Sequence, residues 1–124
     1  HLLGFTDNIG KVYQSMDVVC FPSHLDAPGR PIFEAAFYGV PSIAAIRNPT
    51  PDTFVHEGTG LTVKAGDVGD LAAAIMRLAN DRSMVHHLGT SAHALALENF
   101  DAAKNMEKLL ALYRDVCPEK GSAS

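Results

Sequence analysis

The sequence predicts an α/β protein with a partial Rossmann-like parallel sheet of about four short strands and packing helices. In residues 1–65, short apolar runs alternate with amphipathic stretches and with turns, which is the pattern of a parallel sheet. After Gly66 only helical periodicity continues, which predicts helices that cover the sheet. Hydrophobic residues make up 47% and charged residues 19% of the 124 residues, which excludes a disordered chain.

The predicted strands are short apolar runs that end at turn residues. The clearest run is Asp17–Phe21, which Pro22 stops, and its continuous apolar character predicts a strand buried on both faces. Cys20 within it is expected to be an inert core thiol. The segments predicted as strands are Leu2–Phe5, Asp17–Phe21, Ser42–Ile46 and Leu61–Val63.

Capping residues and helix breakers predict where the helices begin and end. A first helix is expected over Ile9–Met16, with Thr6 or Asp7 as its N-cap. A second helix, Pro31–Tyr38, is expected to begin with its proline and to end at Gly39 as the C′ residue.

Residues 47–60 hold two prolines and two glycines, and they predict a long loop with one helical turn. Three amphipathic helices follow, and Pro118 ends the last of them. Their apolar faces are Leu71, Ile75 and Leu78; Met84, Val85, Leu88, Ala92 and Leu95; and Met106, Leu109, Leu110, Tyr113 and Cys117.

Composition and charge exclude several classes of function. The net charge is −4 and like charges form no block, so the sequence predicts no surface for nucleic acid or an anionic membrane. It also lacks the roughly 18 uncharged residues of a membrane span. Two cysteines are too few for a disulfide scaffold or a structural zinc site, and no secretory signal is recognisable, so we expect a cytoplasmic protein.

The candidate site is the segment that links the second predicted strand to the next helix. Ligands of parallel sheets bind at the carboxyl ends of strands, and a helix N-terminus favours phosphate. Gly29 permits close approach of a ligand to the backbone, and Pro31 fits the first helical turn. The two oxygens of Glu34, a lone carboxylate on an apolar helix, suit two neighbouring hydroxyls, as in a ribose. Asp26, eight residues earlier, could reach the same crevice.

The same residues also fit a purely structural interpretation, in which Glu34 lies on the solvent side of its helix and Asp26 caps a turn. The histidines carry a weaker signal. Residues 86, 87 and 93 lack the i, i+4 spacing of a metal-binding helix face, so they are expected to be solvated. His24 could border a ligand, although a plain loop histidine is the simpler interpretation.

In this segment the sequence resembles the C-terminal, donor-binding domain of the retaining glycosyltransferases with two Rossmann-like domains (GT-B), the group 1 family. That family ends a strand with Pro-Ser, places an acidic residue in the next loop, and opens a helix with Glu-Ala-x-x-x-Gly-x-Pro. Here these read Pro22-Ser23, Asp26 and Glu34–Pro41, with seven residues between the two acidic ones. The glycine-rich and alanine-rich ending of the family pattern is matched by residues 58–75, and the resemblance covers residues 2–116.

The resemblance implies that the chain binds a nucleotide-diphosphate sugar. It implies that Asp26 contacts hydroxyls of the transferred sugar, that Glu34 holds the ribose, and that the turn between them lies against the sugar and the diphosphate. It also implies that no metal is needed, because cationic side chains and helix N-termini neutralise the diphosphate. The residues predicted at the donor are Asp26, Gly29, Arg30, Pro31, Ile32 and Glu34. Arg30 could touch a phosphate, although a solvated arginine at a helix start is the simpler interpretation.

Three departures from the family pattern bear on function. Asp26 stands where the family usually has Glu, Ala27-Pro28-Gly29 replaces a Gly-Phe-Gly turn, and Pro49-Thr50 replaces a glycine pair. They leave the donor sugar, the base and the acceptor open. The reduced glycine turn favours a second class, a non-catalytic α/β module for nucleotide binding or protein interaction, whereas the spacing of the acidic pair favours the enzyme.

The resemblance further implies that the chain is a fragment of a longer enzyme. In the family, an N-terminal acceptor domain and the first strand–helix units of the donor domain precede the matched segment and supply the phosphate-binding Arg and Lys. We therefore expect the 124 residues to be inactive alone. Without those units, Leu2–Phe5 and Val18–Phe21 would each lack a neighbouring strand, and we expect self-association through such edges.

Overall fold

The computed structural model describes residues 1–2, 4–25 and 28–117. Short strands and helices alternate in the first half of the chain, and the second half is helical. The elements are α1 (Ile9–Gln14), β1 (Val19–Phe21), α2 (Arg30–Phe37), β2 (Ser42–Ala44), β3 (Gly60–Thr62), α3 (Val68–Asn80), α4 (Arg82–Asn99) and α5 (Ala102–Val116).

The strands form one parallel sheet in the order β1-β2-β3. Val19 lies opposite Ser42 in the first pair, and Ser42 lies opposite Gly60 in the second. Parallel strands need a crossover connection, and helix α2 supplies it between β1 and β2. The three elements form a βαβ unit. The predicted α/β class is therefore confirmed.

The predicted strand Leu2–Phe5 is wrong at its described residues, which belong to no strand. Leu2 and Phe5 are almost fully exposed, at 104% and 93%, and Gly4 has a φ of 70°, which interrupts an extended backbone. The prediction used the apolar character of this segment. An apolar segment forms a strand only where a neighbouring strand and a covering helix bury it, and Leu2 and Phe5 have neither among the described residues. The described part of the sheet therefore has three strands and not four.

The second predicted strand is shorter than expected, and it is not buried on both faces. Val19, which packs with Ala35 of α2, lies on the covered side of β1. Cys20 points to the other side and is exposed, which corrects its prediction as a core thiol. The difference arises because α3 and α4 cover the centre of the sheet, whereas β1 is an edge among the described strands.

Alternate residues of β2 and of the two residues after it supply both halves of the core. Ile43 and Ala45 face α3 and α4, where Leu78 and Leu88 are almost completely buried. The intervening residues face the α2 side of the sheet. There the buried residues are Ile32, Ala44, Ile46 and Phe54, with Phe21 packed against them.

The helix caps confirm the second helix and correct the first. The N-cap of α1 is Asn8, whose side chain accepts from the Lys11 N–H, whereas Thr6 accepts from the N–H of Asn8 itself. At the end of α2, Gly39 has a φ of 70°, and Val40 N–H donates to the Ala35 carbonyl, as predicted for a glycine at C′.

The three C-terminal helices each begin after an aspartate whose side chain accepts a backbone N–H: Asp67, Asp81 and Asp101. The predicted helical turn between the strands is present, because Thr53 and Phe54 both donate to the Thr50 carbonyl. His86 and His87 are exposed, as predicted, whereas His93 is half-buried.

Candidate functional site

The segment between β1 and α2 contains most of the residues that the sequence predicts at the site. Gly29 is the N-cap of α2, and Arg30 rather than Pro31 is its first residue, so the proline stands at the second position. A Cβ on Gly29 would lie 2.2 Å from the Phe21 ring. Packing against this ring is therefore a structural reason for the glycine, beside the predicted approach of a ligand.

The side chain of Ile32 lies in the hydrophobic core. It is 3% exposed, and its N–H already donates to the Gly29 carbonyl at 3.0 Å. Ile32 therefore anchors the start of α2 to the sheet, and its side chain does not reach a surface where a ligand could bind.

Glu34 is the carboxylate on which the site prediction depends, and the structure gives each of its oxygens a partner. The Tyr13 hydroxyl donates to Oε2 at 2.9 Å, and an Arg30 guanidinium nitrogen donates to Oε1 at 3.0 Å. The Glu34 side chain is 35% exposed. It is thus neither on a free solvent face, as the structural interpretation required, nor sealed in the core.

Tyr13 comes from α1, the helix that the sequence predicts over Ile9–Met16, and was not predicted as a site residue. It is 5% exposed, and its ring stacks on Tyr38 with centroids 5.8 Å apart. Burial and the hydrogen bond to Glu34 raise the pKa of the Tyr13 hydroxyl to about 12. A signal was present in the sequence, because a buried tyrosine hydroxyl and a lone helical carboxylate each need a hydrogen-bond partner.

The structure brings Gly29, Arg30 and Glu34 together at the first turns of α2. Asp26, the other predicted acidic residue, lies outside the described residues, as does Ala27. Arg30 and Glu34 form an ion pair between residues four positions apart on the helix, and the arginine side chain is 90% exposed. Arg30 is therefore available to an anionic ligand at the helix start.

Apart from these residues, a cleft of about 500 Å³ opens at the carboxyl ends of β2 and β3. His24, Arg47, His56 and Lys64 are among the residues that line it. The His56 ring is held there, because its Nδ1 lies 3.0 Å from the Thr62 N–H that donates to it. The sequence predicted His24 as a possible border of the ligand, but His56 and Lys64 were missed. His56 lies in the loop before β3, where no local feature marks it, whereas Lys64 follows the predicted strand Leu61–Val63 directly and could have been found.

Neither a metal centre nor a membrane span is found in the described part of the chain. Within residues 1–2, 4–25 and 28–117, no three His, Cys, Asp or Glu side chains are grouped so that they could hold a metal ion. None of the helices described there has the length and apolar character to cross a membrane.

Comparison with known proteins shows which family this chain resembles. The family model "Glycosyl transferases group 1" matches residues 1–95. The capsular polysaccharide biosynthesis glycosyltransferase CapM of Staphylococcus aureus is 30% identical over 107 residues, which are 86% of this chain and 28% of CapM. A D-inositol 3-phosphate glycosyltransferase of Corynebacterium diphtheriae is 33% identical over 109 residues, which are 88% of this chain and 25% of that enzyme.

Among solved structures, Anabaena Alr3699/HepE in complex with UDP superposes with a TM-score of 0.84 and 25% identity. That match covers 91% of this chain and 31% of the other. The chain thus spans about a quarter of the length of the curated relatives that it matches. Because the family model covers more than half of the residues, this chain belongs to the group 1 glycosyltransferase family.

Proposed function

We propose that this chain forms part of the donor-binding domain of a retaining glycosyltransferase, which moves a sugar from a nucleotide-diphosphate sugar to an acceptor. The remainder of that domain and an N-terminal acceptor domain belong to the same protein in this proposal. The 124 residues alone bind donor groups but do not transfer sugar. The family membership supports transfer, and the share of each relative that the chain covers supports a fragment.

The Glu34 carboxylate carries the proposal within this chain. It lies in the second turn of a helix that begins after the carboxyl end of a parallel strand, where such sheets bind ligands. Its side chain is partly exposed, and its oxygens keep unused lone pairs after the bonds from Tyr13 and Arg30. A ribose presents two neighbouring hydroxyls, which are donors at the spacing that one carboxylate accepts.

The other predicted site residues complete the donor site in this proposal. Asp26 contacts hydroxyls of the transferred sugar, and the turn from Gly29 to Pro31 lies against the sugar and the diphosphate. Arg30 is exposed at the N-terminus of α2, so its charge and the helix dipole both favour a diphosphate. We propose that these groups make a metal ion unnecessary for the leaving group.

The neighbouring structures suggest which nucleotide to test first. HepE was solved with UDP and with UDP-glucose, so UDP is the first probe. A cytoplasmic location stays a prediction from the sequence. Self-association through the edge of β1 that faces no other described strand also stays a prediction for the isolated chain.

The decisive measurement is the affinity of the full-length protein for UDP before and after Glu34→Gln. The amide keeps the size of the side chain but removes one acceptor oxygen and the charge. We expect UDP binding to weaken by about 1–3 kcal/mol, the usual cost of mispairing a partly buried charged group. Isothermal titration calorimetry measures this loss directly.

Glu57→Gln is the matched control, because Glu57 is also a glutamate in an ion pair, with Arg77, but lies outside the proposed site. It should leave the affinity unchanged. Equal UDP affinity in the Glu34 variant and the parent would refute the ribose assignment. Tight UDP binding by the full-length protein without any sugar transfer would favour the non-catalytic nucleotide-binding module instead.

A further inference from the structure

Two residues hold the Glu34 carboxylate, and they differ in how firmly they are held themselves. Tyr13 is 5% exposed, and its ring packs with Ala35 and stacks on Tyr38 at an interplanar angle of 17°. The side chain of Arg30 is 90% exposed. Tyr13 is therefore a fixed hydrogen-bond donor, whereas Arg30 is an exchangeable one.

The Tyr13 hydroxyl carries its proton at neutral pH and is therefore a hydrogen-bond donor. Its pKa is raised to about 12, first by burial and then by the hydrogen bond to Glu34 and the charge of that carboxylate. A phenol has a single proton to donate. Tyr13 donates it to Oε2 of Glu34, across 21 residues of sequence and between two different helices.

This hydrogen bond restricts the orientation of the carboxylate. A glutamate side chain on a helix surface otherwise samples several rotamers, and a ligand that binds it must restrict that motion. With Oε2 held by Tyr13, the position of Oε1 is restricted too. Arg30 occupies Oε1 in this structure, and because exposed ion pairs contribute little, a ligand hydroxyl can replace it.

We propose that Tyr13 is a positioning residue for nucleotide binding, whose hydroxyl orients the Glu34 carboxylate toward the two neighbouring hydroxyls of the ribose of a nucleoside diphosphate. Tyr13 is buried, so it acts through Glu34 and does not touch the ligand. The inference rests on the proposed function, because it requires Glu34 to bind the ribose. The competing explanation is that Tyr13 only fastens α1 to α2.

The two explanations differ in which part of the ligand feels the loss of the hydroxyl. A positioning role concerns the ribose hydroxyls alone, whereas a loosened helix interface affects every nucleotide equally. The test therefore compares UDP with 2′,3′-dideoxy-UDP, which lacks both hydroxyls. Dissociation constants are measured by calorimetry on the full-length protein and on its Tyr13→Phe, Tyr38→Phe and Glu34→Gln variants.

Tyr13→Phe removes one oxygen and keeps the buried ring and its stacking. We expect it to weaken UDP binding about three- to tenfold, as for the loss of one hydrogen bond, and to leave dideoxy-UDP binding at the parent value. Tyr38→Phe makes the same change in the stacked neighbour and should alter neither constant. Equal weakening of both nucleotides by Tyr13→Phe, or unweakened UDP binding, would overturn the positioning role.

Glu34→Gln separates this inference from the proposed function. If it weakens UDP more than dideoxy-UDP while Tyr13→Phe does not, the ribose assignment stands and the role of Tyr13 is refuted. If Glu34→Gln does not discriminate between the two nucleotides, the ribose assignment fails, and the positioning role fails with it.

Discussion

Helices α4 and α5 are neighbours in the chain, and both carry apolar residues at helical spacing, yet they differ completely in burial. Five residues of α4 are buried: Val85, Leu88, Gly89, Ala92 and Ala96. Helix α5 has none, and its large apolar side chains, such as Leu109 at 42% and Leu112 at 56%, are exposed. An amphipathic pattern thus determines which face of a helix is apolar, but a partner surface decides whether that face is buried.

The small residues of α4 explain why it packs so closely. Ala92 and Ala96 meet Ala36 of α2, and these three side chains form one buried cluster. At Gly89 the approach is closest, because a Cβ there would lie 2.1 Å from the Gly39 carbonyl oxygen. Helix α4 therefore contacts the backbone at the end of α2 as well as the sheet, whereas the described residues offer α5 no comparable surface.

The largest effect expected from this comparison follows from one substitution made in both helices. Leu88→Ala removes a fully buried side chain from the core and should lower the free energy of unfolding by about 3–5 kcal/mol. Leu109→Ala removes a side chain that is 42% exposed and should cost less than about 1 kcal/mol. Urea unfolding of the full-length protein measures both. A loss at Leu109 as large as that at Leu88 would show that another part of the protein covers α5.

A smaller effect is expected from adding one methyl group to α4. Gly89→Ala places a Cβ against the Gly39 backbone, which cannot rotate away, and should cost about 1–3 kcal/mol through overpacking. Gly69→Ala in α3 is the matched control, because its Cβ would approach only Asp67 Oδ1, at 3.4 Å. We expect the control to be neutral or slightly stabilising. Equal melting temperatures for both variants would contradict the close contact of α4 with α2.

The smallest effect concerns the two helix caps and acid. The Asp81 carboxylate accepts from the Met84 N–H and from the Ser83 hydroxyl, and these bonds lower its pKa below the usual 3.8; the Lys104 N–H lowers the pKa of Asp101 in the same way. A lowered pKa in the folded state stabilises above pH 3.8. This stabilisation is lost as the pH falls from there through the folded pKa.

Because α4 is part of the core and α5 is not, only Asp81 should couple to global unfolding. Asp81→Asn should therefore flatten the fall in melting temperature between pH 5 and pH 3, by roughly the contribution of one carboxylate. Asp101→Asn should leave the profile unchanged, since α5 can fray alone. Identical profiles for the two variants would argue that α5 unfolds together with the core.

Only part of the candidate site was predicted, because the sequence indicates features formed by neighbouring residues but not contacts between distant ones. The strand end, the helix start near Pro31 and the carboxylate at Glu34 are local features, and the structure places them together. The sequence missed Tyr13 as a partner of Glu34, because 21 residues and a strand separate them.

By itself, the sequence determined the features that depend on a few consecutive residues. These include the turn at Gly39, the aspartate caps and the helical turn after Thr50. Each is formed by hydrogen bonds between residues two to five positions apart. Only the tertiary structure decided which apolar segments are covered. Leu2–Phe5 forms no strand at its described residues and Cys20 is exposed, because burial requires a surface from distant parts of the chain, and local hydrophobicity does not specify whether one is there.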